Sequence, residues 1–248
     1  MRPRFLITPD QIAGDRVTLR GEQFVHAARS RRLRVGDTLF VFDGAGSEWE
    51  ARVERVGEDR LEAIVLGASP PRRVEPRLQL TLVQALPKGE RMDWIVQKTT
   101  ELGLARLIPA VTERTVARPA EAGRLARWRR LAQEAAQQCG RTVVPEIRPP
   151  ISLAAAVELV ADCDLRLFPH EEAGGASLKT VLGDDRRARA AACFVGPEGG
   201  FSAGEVRDLE SAGVRRVHLG PRVLRTDTTA VVIVALVLHE FGELEASE

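Results

Sequence analysis

Two stretches of this 248-residue chain concentrate residue types that handle charge and protons. One is Arg225-Thr226-Asp227-Thr228-Thr229, which runs straight into the apolar segment Ala230–Leu238. A guanidinium, a carboxylate and three hydroxyls thus stand within five positions. That set suits stabilisation of a developing anion and transfer of a proton. The plainer alternatives are an N-cap role for Asp227 on the following helix and a surface ion pair for Arg225. The other stretch is Gly196-Pro197-Glu198-Gly199-Gly200. It is neither GxGxxG nor GxxxxGK[ST], so a Rossmann dinucleotide site and a P-loop are disfavoured. It reads either as a loop that lets backbone approach a ligand closely or as a tight strand-to-helix turn.

The surrounding elements set where these residues lie. Ala190–Val195 is an apolar run that ends in the glycine loop, and a helix follows. Ser202 and Glu205 have capping-box spacing, and Phe201 with Val206 that of a hydrophobic staple. A second apolar run, Val214–Leu219, ends at Gly220-Pro221. Two strands ending in glycine loops can stand side by side, at the sheet edge where open α/β folds bind ligands. Phe168-Pro169-His170-Glu171-Glu172 follows a further strand candidate, Asp164–Phe168. There the backbone is a better ligand contact than the His170 ring. His218 falls within a strand and reads as structural.

His26-Ala-Ala-Arg29-Ser-Arg31-Arg32-Leu-Arg34 holds four arginines in six positions, with no acid between Glu22 and Asp37. Such a run is either a solvated face or a phosphate-binding one. Arg124, Arg127, Arg129 and Arg130 flank Trp128 and read mostly as a solvated helix face. Arg141 and Thr142 follow Gly140, where a loop could aim them at the site. The net charge is +1, so any nucleic-acid contact must come from a local patch. Arginine far outnumbers lysine, which occurs only at Lys88, Lys98 and Lys179. The guanidinium fork suits phosphate.

Cys139, Cys163 and Cys193 form no CxxC pair. Zinc and a disulfide framework are therefore disfavoured, and a reducing, cytoplasmic setting is expected. The N-terminus lacks the apolar core of a signal peptide. Ala230–Leu238 is about half the ~20 residues that span a bilayer, so it reads as a helix buried in a core or a subunit interface.

Residues 1–70 carry short strand candidates at Arg4–Ile7, Arg16–Leu19, Thr38–Phe42, Glu48–Val56 and Leu61–Leu66, with one helix at Glu22–Arg29. Their spacing predicts a small β-barrel. Prolines between Ser69 and Pro76 predict a stiff connector over 71–76. From 77 to 248 strands alternate with helices, which predicts an α/β domain with a mostly parallel sheet.

Five segments taken together resemble a known family: HAARSRRLRVGD (26–37), LPKGERMDWIVQKTTELG (86–103), RWRRLAQEAAQQCGRTVVPEI (127–147), VGPEGGFSAGE (195–205) and LGPRVLRTDTTA (219–230). In this order they are similar to the RsmE family of bacterial 16S ribosomal RNA methyltransferases, which modify N3 of a uridine, within the SPOUT superfamily. The resemblance implies an N-terminal PUA-like, RNA-binding barrel and a C-terminal α/β domain with a trefoil knot. It implies a homodimer, no membrane or metal, and 16S rRNA or the small ribosomal subunit as partner. It places S-adenosylmethionine on Leu167, Phe168, Pro169 and His170; on Val195, Gly196, Pro197, Glu198, Gly199 and Gly200; and on Leu219, Gly220, Val223, Leu224, Thr226 and Thr229. Arg225 and Asp227 become the catalytic pair. His26, Arg29, Arg31, Arg32, Arg34, Lys88 and Arg141 become RNA contacts. Family members usually carry Glu where this chain has Asp227.

Overall fold

Residues two apart decide the N-terminal architecture. Val17 with Leu19, Leu39 with Val41, Ala51 with Val53 and Leu61 with Ala63 are all buried, so each strand turns one face inward. In the computed structural model, residues 3–69, 74–116, 122–170, 176–184 and 187–245 are described. They fall into two compact units, Met1–Glu75 with Ala136–Val144, and Pro76–Ala135 with Pro145–Glu248.

The first unit is a six-stranded sheet. Its strands are β1 (Arg4–Leu6), β2 (Ile12–Ala13), β3 (Arg16–Arg20), β4 (Thr38–Phe42), β5 (Glu48–Val56) and β6 (Arg60–Ala68), in the order β1-β4-β5-β6-β3-β2. Only β1 and β4 pair in parallel. The turn after β4 is held by Asp43, whose Oδ1 accepts from the backbone N–H of Ala45 at 2.8 Å and Ser47 at 3.0 Å. Burial alone would raise that carboxyl, but these donors hold it below its usual range. The predicted helix at Glu22–Arg29 divides into α1 (Gly21–Val25) and one wide π-type turn, His26–Ser30, closed by Arg31 N–H on His26 C=O at 2.9 Å. Phe24, Ala27 and Leu33 anchor it to the core.

A segment distant in sequence completes this unit. Val144 N–H donates to Gly44 C=O at 2.9 Å, and the Glu75 carboxylate accepts from Thr142 and Val143 N–H at 2.8 and 3.0 Å. Residues 71–73 of the expected connector lie outside the described residues.

In the second unit the strands are β7 (Gln79–Ala85), β8 (Arg106–Val111), β9 (Glu146–Ile147), β10 (Ile151–Ser152), β11 (Leu165–Pro169), β12 (Ala176–Ser177), β13 (Ala190–Val195) and β14 (Arg215–His218). All pairs are parallel, in the order β10-β8-β7-β13-β11-β14-β12, with β9 also on β8. β7 and β13 are buried along almost their whole length, which is why β13 is an unbroken apolar run and β7 a mainly apolar one, interrupted by Thr81 and Gln84. The helices are α2 (Arg91–Leu102), α3 (Ala122–Cys139, of which residues from Ala136 on belong to the first unit), α4 (Leu153–Leu159), α5 (Leu178–Asp184), α6 (Ala203–Ser211) and α7 (Thr226–Glu240). One core joins Val83, Ile108, Phe168, Ala192 and Phe194 of the sheet to Ala156 of α4 and Leu209 of α6. α7 packs on β7, β13, α2 and α5. The short elements β2, β9, β10, β12 and α5 are not expected from the sequence: two-residue strands carry no period, and Ser177, which accepts from Thr180 N–H at 3.1 Å at the start of α5, has no Glu or Gln at capping-box spacing.

Candidate active site

The chain builds one edge of the second unit from three loop ends. β13 and β14 both end in glycine loops, yet they are not neighbours: β11 lies between them and pairs with both. The loop after β11 therefore enters the same place as the two glycine loops. A cleft of about 400 Å³ opens there, lined by Pro169 and His170, by Gly199, Gly200 and Phe201, and by Leu219, Gly220, Val223, Leu224 and Thr229. Arg114, Ala203, Val206, Arg207, Glu210, Arg216 and Arg222 complete its wall.

The glycine loop is fastened on several sides. Gly200 N–H donates to Pro197 C=O at 2.9 Å. Glu198 accepts from Lys88 N–H at 2.9 Å and from the Arg91 guanidinium at 2.7 Å. Arg114 donates to Gly199 C=O at 2.7 Å. A Cβ on Gly196 would stand 3.2 Å from the Gly200 backbone, so a side chain there would push the turn open. The expected helix start is present: Ser202 Oγ accepts from Glu205 N–H at 3.2 Å and Glu205 accepts from Ser202 N–H at 2.8 Å. The other Glu205 oxygen accepts from Glu113 N–H at 2.8 Å, so the cap also ties in the loop after β8.

Nine of the residues assigned to the cofactor by resemblance line the cleft: Pro169, His170, Gly199, Gly200, Leu219, Gly220, Val223, Leu224 and Thr229. Leu167, Phe168, Val195 and Pro197 are buried beside or beneath it. Phe168 meets Phe201 edge-to-face at 6.3 Å and His170 at 6.1 Å. The Glu198 side chain serves the loop itself. Glu171 and Glu172 lie outside the described residues.

Arg225 is exposed and stands at the N-cap position of α7 in extended conformation (φ −65°, ψ 153°). Its carbonyl accepts from Thr229 N–H at 2.7 Å and Thr229 Oγ1 at 3.0 Å. Asp227 is not the N-cap. It sits inside the first helical turn, where the helix dipole favours a carboxylate. Its Oδ1 is buried and accepts no hydrogen bond, and it makes no ion pair with Arg225. Thr226 is buried. Its Oγ1 donates to Gly196 C=O at 2.6 Å and accepts from Gln84 Nε2 at 3.0 Å. Gln84 is fully buried at the end of β7, and its Oε1 also lacks a partner. Sequence reading missed Gln84 because it sits unmarked within an apolar strand.

In the first unit, Arg29, Arg31, Arg32 and Arg34 are all exposed, and none of their guanidinium groups has a carboxylate partner among the described residues, although the Arg34 backbone N–H donates to Asp37 Oδ2 at 2.7 Å. Arg31 Nε donates to His26 Nε2 at 3.3 Å, and His26 meets Phe5 edge-to-face at 5.8 Å. Arg32 has φ +54°, the one left-handed non-glycine residue among those described. Lys88, in the second unit, is exposed. Arg141 corrects the sequence reading: it is 4% exposed, its guanidinium is ion-paired with Glu75 at 2.8 Å, and it fastens the first unit instead of facing solvent.

A model of the RNA methyltransferase domain matches residues 74–238, and one of the RNA methyltransferase PUA domain matches 19–66. The ribosomal RNA small subunit methyltransferase E of Mycobacterium bovis is 35% identical over 225 residues, covering 88% of this chain and 84% of its own. That of Synechocystis sp. is 32% identical over 236 residues, covering 95% and 77%. The crystal structure of the enzyme of this name from Neisseria gonorrhoeae, bound to S-adenosylmethionine, superposes with a TM-score of 0.84 at 30% identity, over 96% of this chain and 98% of that one. This chain belongs to the ribosomal RNA small subunit methyltransferase E family of RNA methyltransferases.

The cleft fits the cofactor seen in that relative. Its size lies within the range of small-molecule sites. Phe201, Val206, Leu219, Val223 and Leu224 offer apolar surface for a purine. No cluster of His, Cys, Asp and Glu among the described residues is placed to hold a metal ion. No described helix is long and apolar enough to cross a membrane.

Proposed function

We propose that this protein transfers a methyl group from S-adenosylmethionine to N3 of a uridine in 16S ribosomal RNA, on the small ribosomal subunit in the cytoplasm. One observation carries the reading: the loops after β11, β13 and β14 converge on a single cleft that Thr229 of α7 also lines. The domains are a PUA-like RNA-binding barrel over 1–70, a connector over 71–76 and a SPOUT methyltransferase domain over 77–248. In this reading the chain forms a trefoil knot, in which α7 follows a loop threaded past the glycine turn. It acts as a homodimer, with α7 in the seam. Val231, Val232 and Leu236 leave apolar surface on that helix only partly covered.

The bound cofactor supplies an electrophilic methyl group on a sulfonium. The chain does the rest. Gly199, Gly200, Leu219 and Leu224 hold the donor in place, which converts transfer into a reaction between aligned partners. N3 carries an imide proton that must leave. Asp227 Oδ1, a buried acceptor without a partner, takes that proton. Arg225, exposed beside it in sequence, stabilises the negative charge on the uracil oxygen. Because N3 lies on the pairing edge, the base is unpaired or flipped out. His26, Arg29, Arg31, Arg32 and Arg34 contact RNA phosphates from the first unit.

Calorimetric titration with S-adenosylhomocysteine tests the cofactor site. The wild type binds and Gly199→Arg does not. Equal binding by both would remove the cofactor from the glycine loop.

A further inference from the structure

We propose that Arg114, Arg207 and Arg222 form a second phosphate-binding surface, on the rim of the cleft, that guides the RNA backbone to the reacting base. The inference rests on the methyltransferase reading above. The cleft wall holds four arginines and one carboxylate. That carboxylate, Glu210, is taken by Arg216 at 2.8 Å. The other three arginines are exposed, and none has an acidic partner among the described residues. Arg114 is hydrogen-bonded only to a neutral carbonyl, that of Gly199. They come from three separate places: the loop after β8, the helix α6 and the loop after β14. A solvated face lies along one element. Here the fold gathers like charges from three elements around one opening, where they repel one another until an anion arrives.

The cofactor is not that anion. S-adenosylmethionine carries two cationic groups against one carboxylate, so it gives no reason for unpaired arginines on the rim of its cleft. A polyanion fits, and the guanidinium fork matches phosphate oxygens. The partner is the ribose-phosphate backbone beside the target nucleotide.

The test compares wild type with Arg207→Ala/Arg222→Ala and with Arg207→Lys/Arg222→Lys. Binding of a single-stranded RNA probe is followed against salt, and methyl transfer against small-subunit concentration. For the alanine pair, the slope of log K on log salt falls by roughly 1.5, since each lost phosphate contact removes about 0.7 to 0.9. KM for the small subunit rises about tenfold, S-adenosylhomocysteine affinity stays within about threefold, and the lysine pair recovers most of the slope. An unchanged slope and KM overturn the proposal. So does a loss of cofactor affinity as large as the loss of RNA affinity, which would return these arginines to the cofactor site. If the wild type transfers no methyl group, the proposed function fails while the salt slope still decides the rim. If transfer is intact and the slope does not move, the rim alone fails.

Discussion

Thr226 Oγ1 donates a 2.6 Å hydrogen bond to the carbonyl of Gly196, thirty positions earlier in the chain. The same oxygen accepts from Gln84 Nε2 at 3.0 Å, and Gln84 Nε2 also donates to Ala85 C=O at 2.9 Å. One buried hydroxyl thus joins the start of α7, the glycine turn and the end of β7. Arg225 immediately precedes this hydroxyl and Asp227 immediately follows it, so its position sets theirs.

Thr226→Val keeps the shape and removes the hydroxyl. Gly196 C=O and Gln84 Nε2 then lose a partner in a buried place, at a cost of about 1 to 3 kcal/mol. Thermal unfolding should show that loss. The turnover number should drop about tenfold, the scale of one such hydrogen bond, with a smaller change in S-adenosylhomocysteine affinity. Thr226→Ser should retain most of both. A Thr226→Val enzyme with wild-type turnover would show that the tie does not position Arg225.

Arg225 and Asp227 should separate from the cofactor loops in their effects. Arg225→Ala should abolish methyl transfer and leave S-adenosylhomocysteine affinity within a few-fold. Asp227→Asn should slow transfer by roughly 10² to 10⁴, the usual weight of a proton acceptor. Single-turnover assays on small subunits measure both. Retained turnover in either variant would remove that residue from the chemistry.

The basic run of the first unit offers two opposed readouts. Arg32 is left-handed at φ +54°, a conformation that costs an L-residue roughly 1 to 2 kcal/mol. Arg32→Gly should stabilise the fold by about 0.5 to 1 kcal/mol while weakening RNA binding. Replacing Arg29, Arg31, Arg32 and Arg34 together by Ala should flatten the salt dependence of RNA binding. An unchanged slope would make the run a solvated face.

Asp164 accepts from the N–H groups of Ala190 at 3.0 Å and Arg189 at 2.8 Å, which hold its carboxyl below the usual range. A depressed folded-state pKa contributes stability that is present above the unfolded value and lost as pH falls through the folded one. The melting temperature of Asp164→Ala should therefore lie below wild type at neutral pH, with the gap closing below about pH 4. A gap that persists in acid would assign the effect to lost hydrogen bonds in the uncharged state.

Local chemistry made much of this protein legible in its sequence. The capping box at Ser202 and Glu205 involves residues three apart, and its hydrogen bonds form as the spacing requires. The alternation along β3 to β6 reports which side of each strand is buried, because a strand's period is set by its own backbone, and the mainly apolar runs of β7 and β13 mark strands buried on both sides. Long-range arrangement was not legible. Nothing in the sequence places β11 between β13 and β14, because parallel strands pair across long crossovers whose order no local pattern encodes. Arg141 shows the limit most plainly. Next to Gly140 and Thr142 it reads as an exposed loop cation. Only the folded chain brings Glu75 to it across 66 positions, and in a buried place the charge must be paired. Gln84 is the converse case: an unremarkable polar residue within a mainly apolar strand becomes a tie to the start of α7 only when the sheet and α7 are assembled.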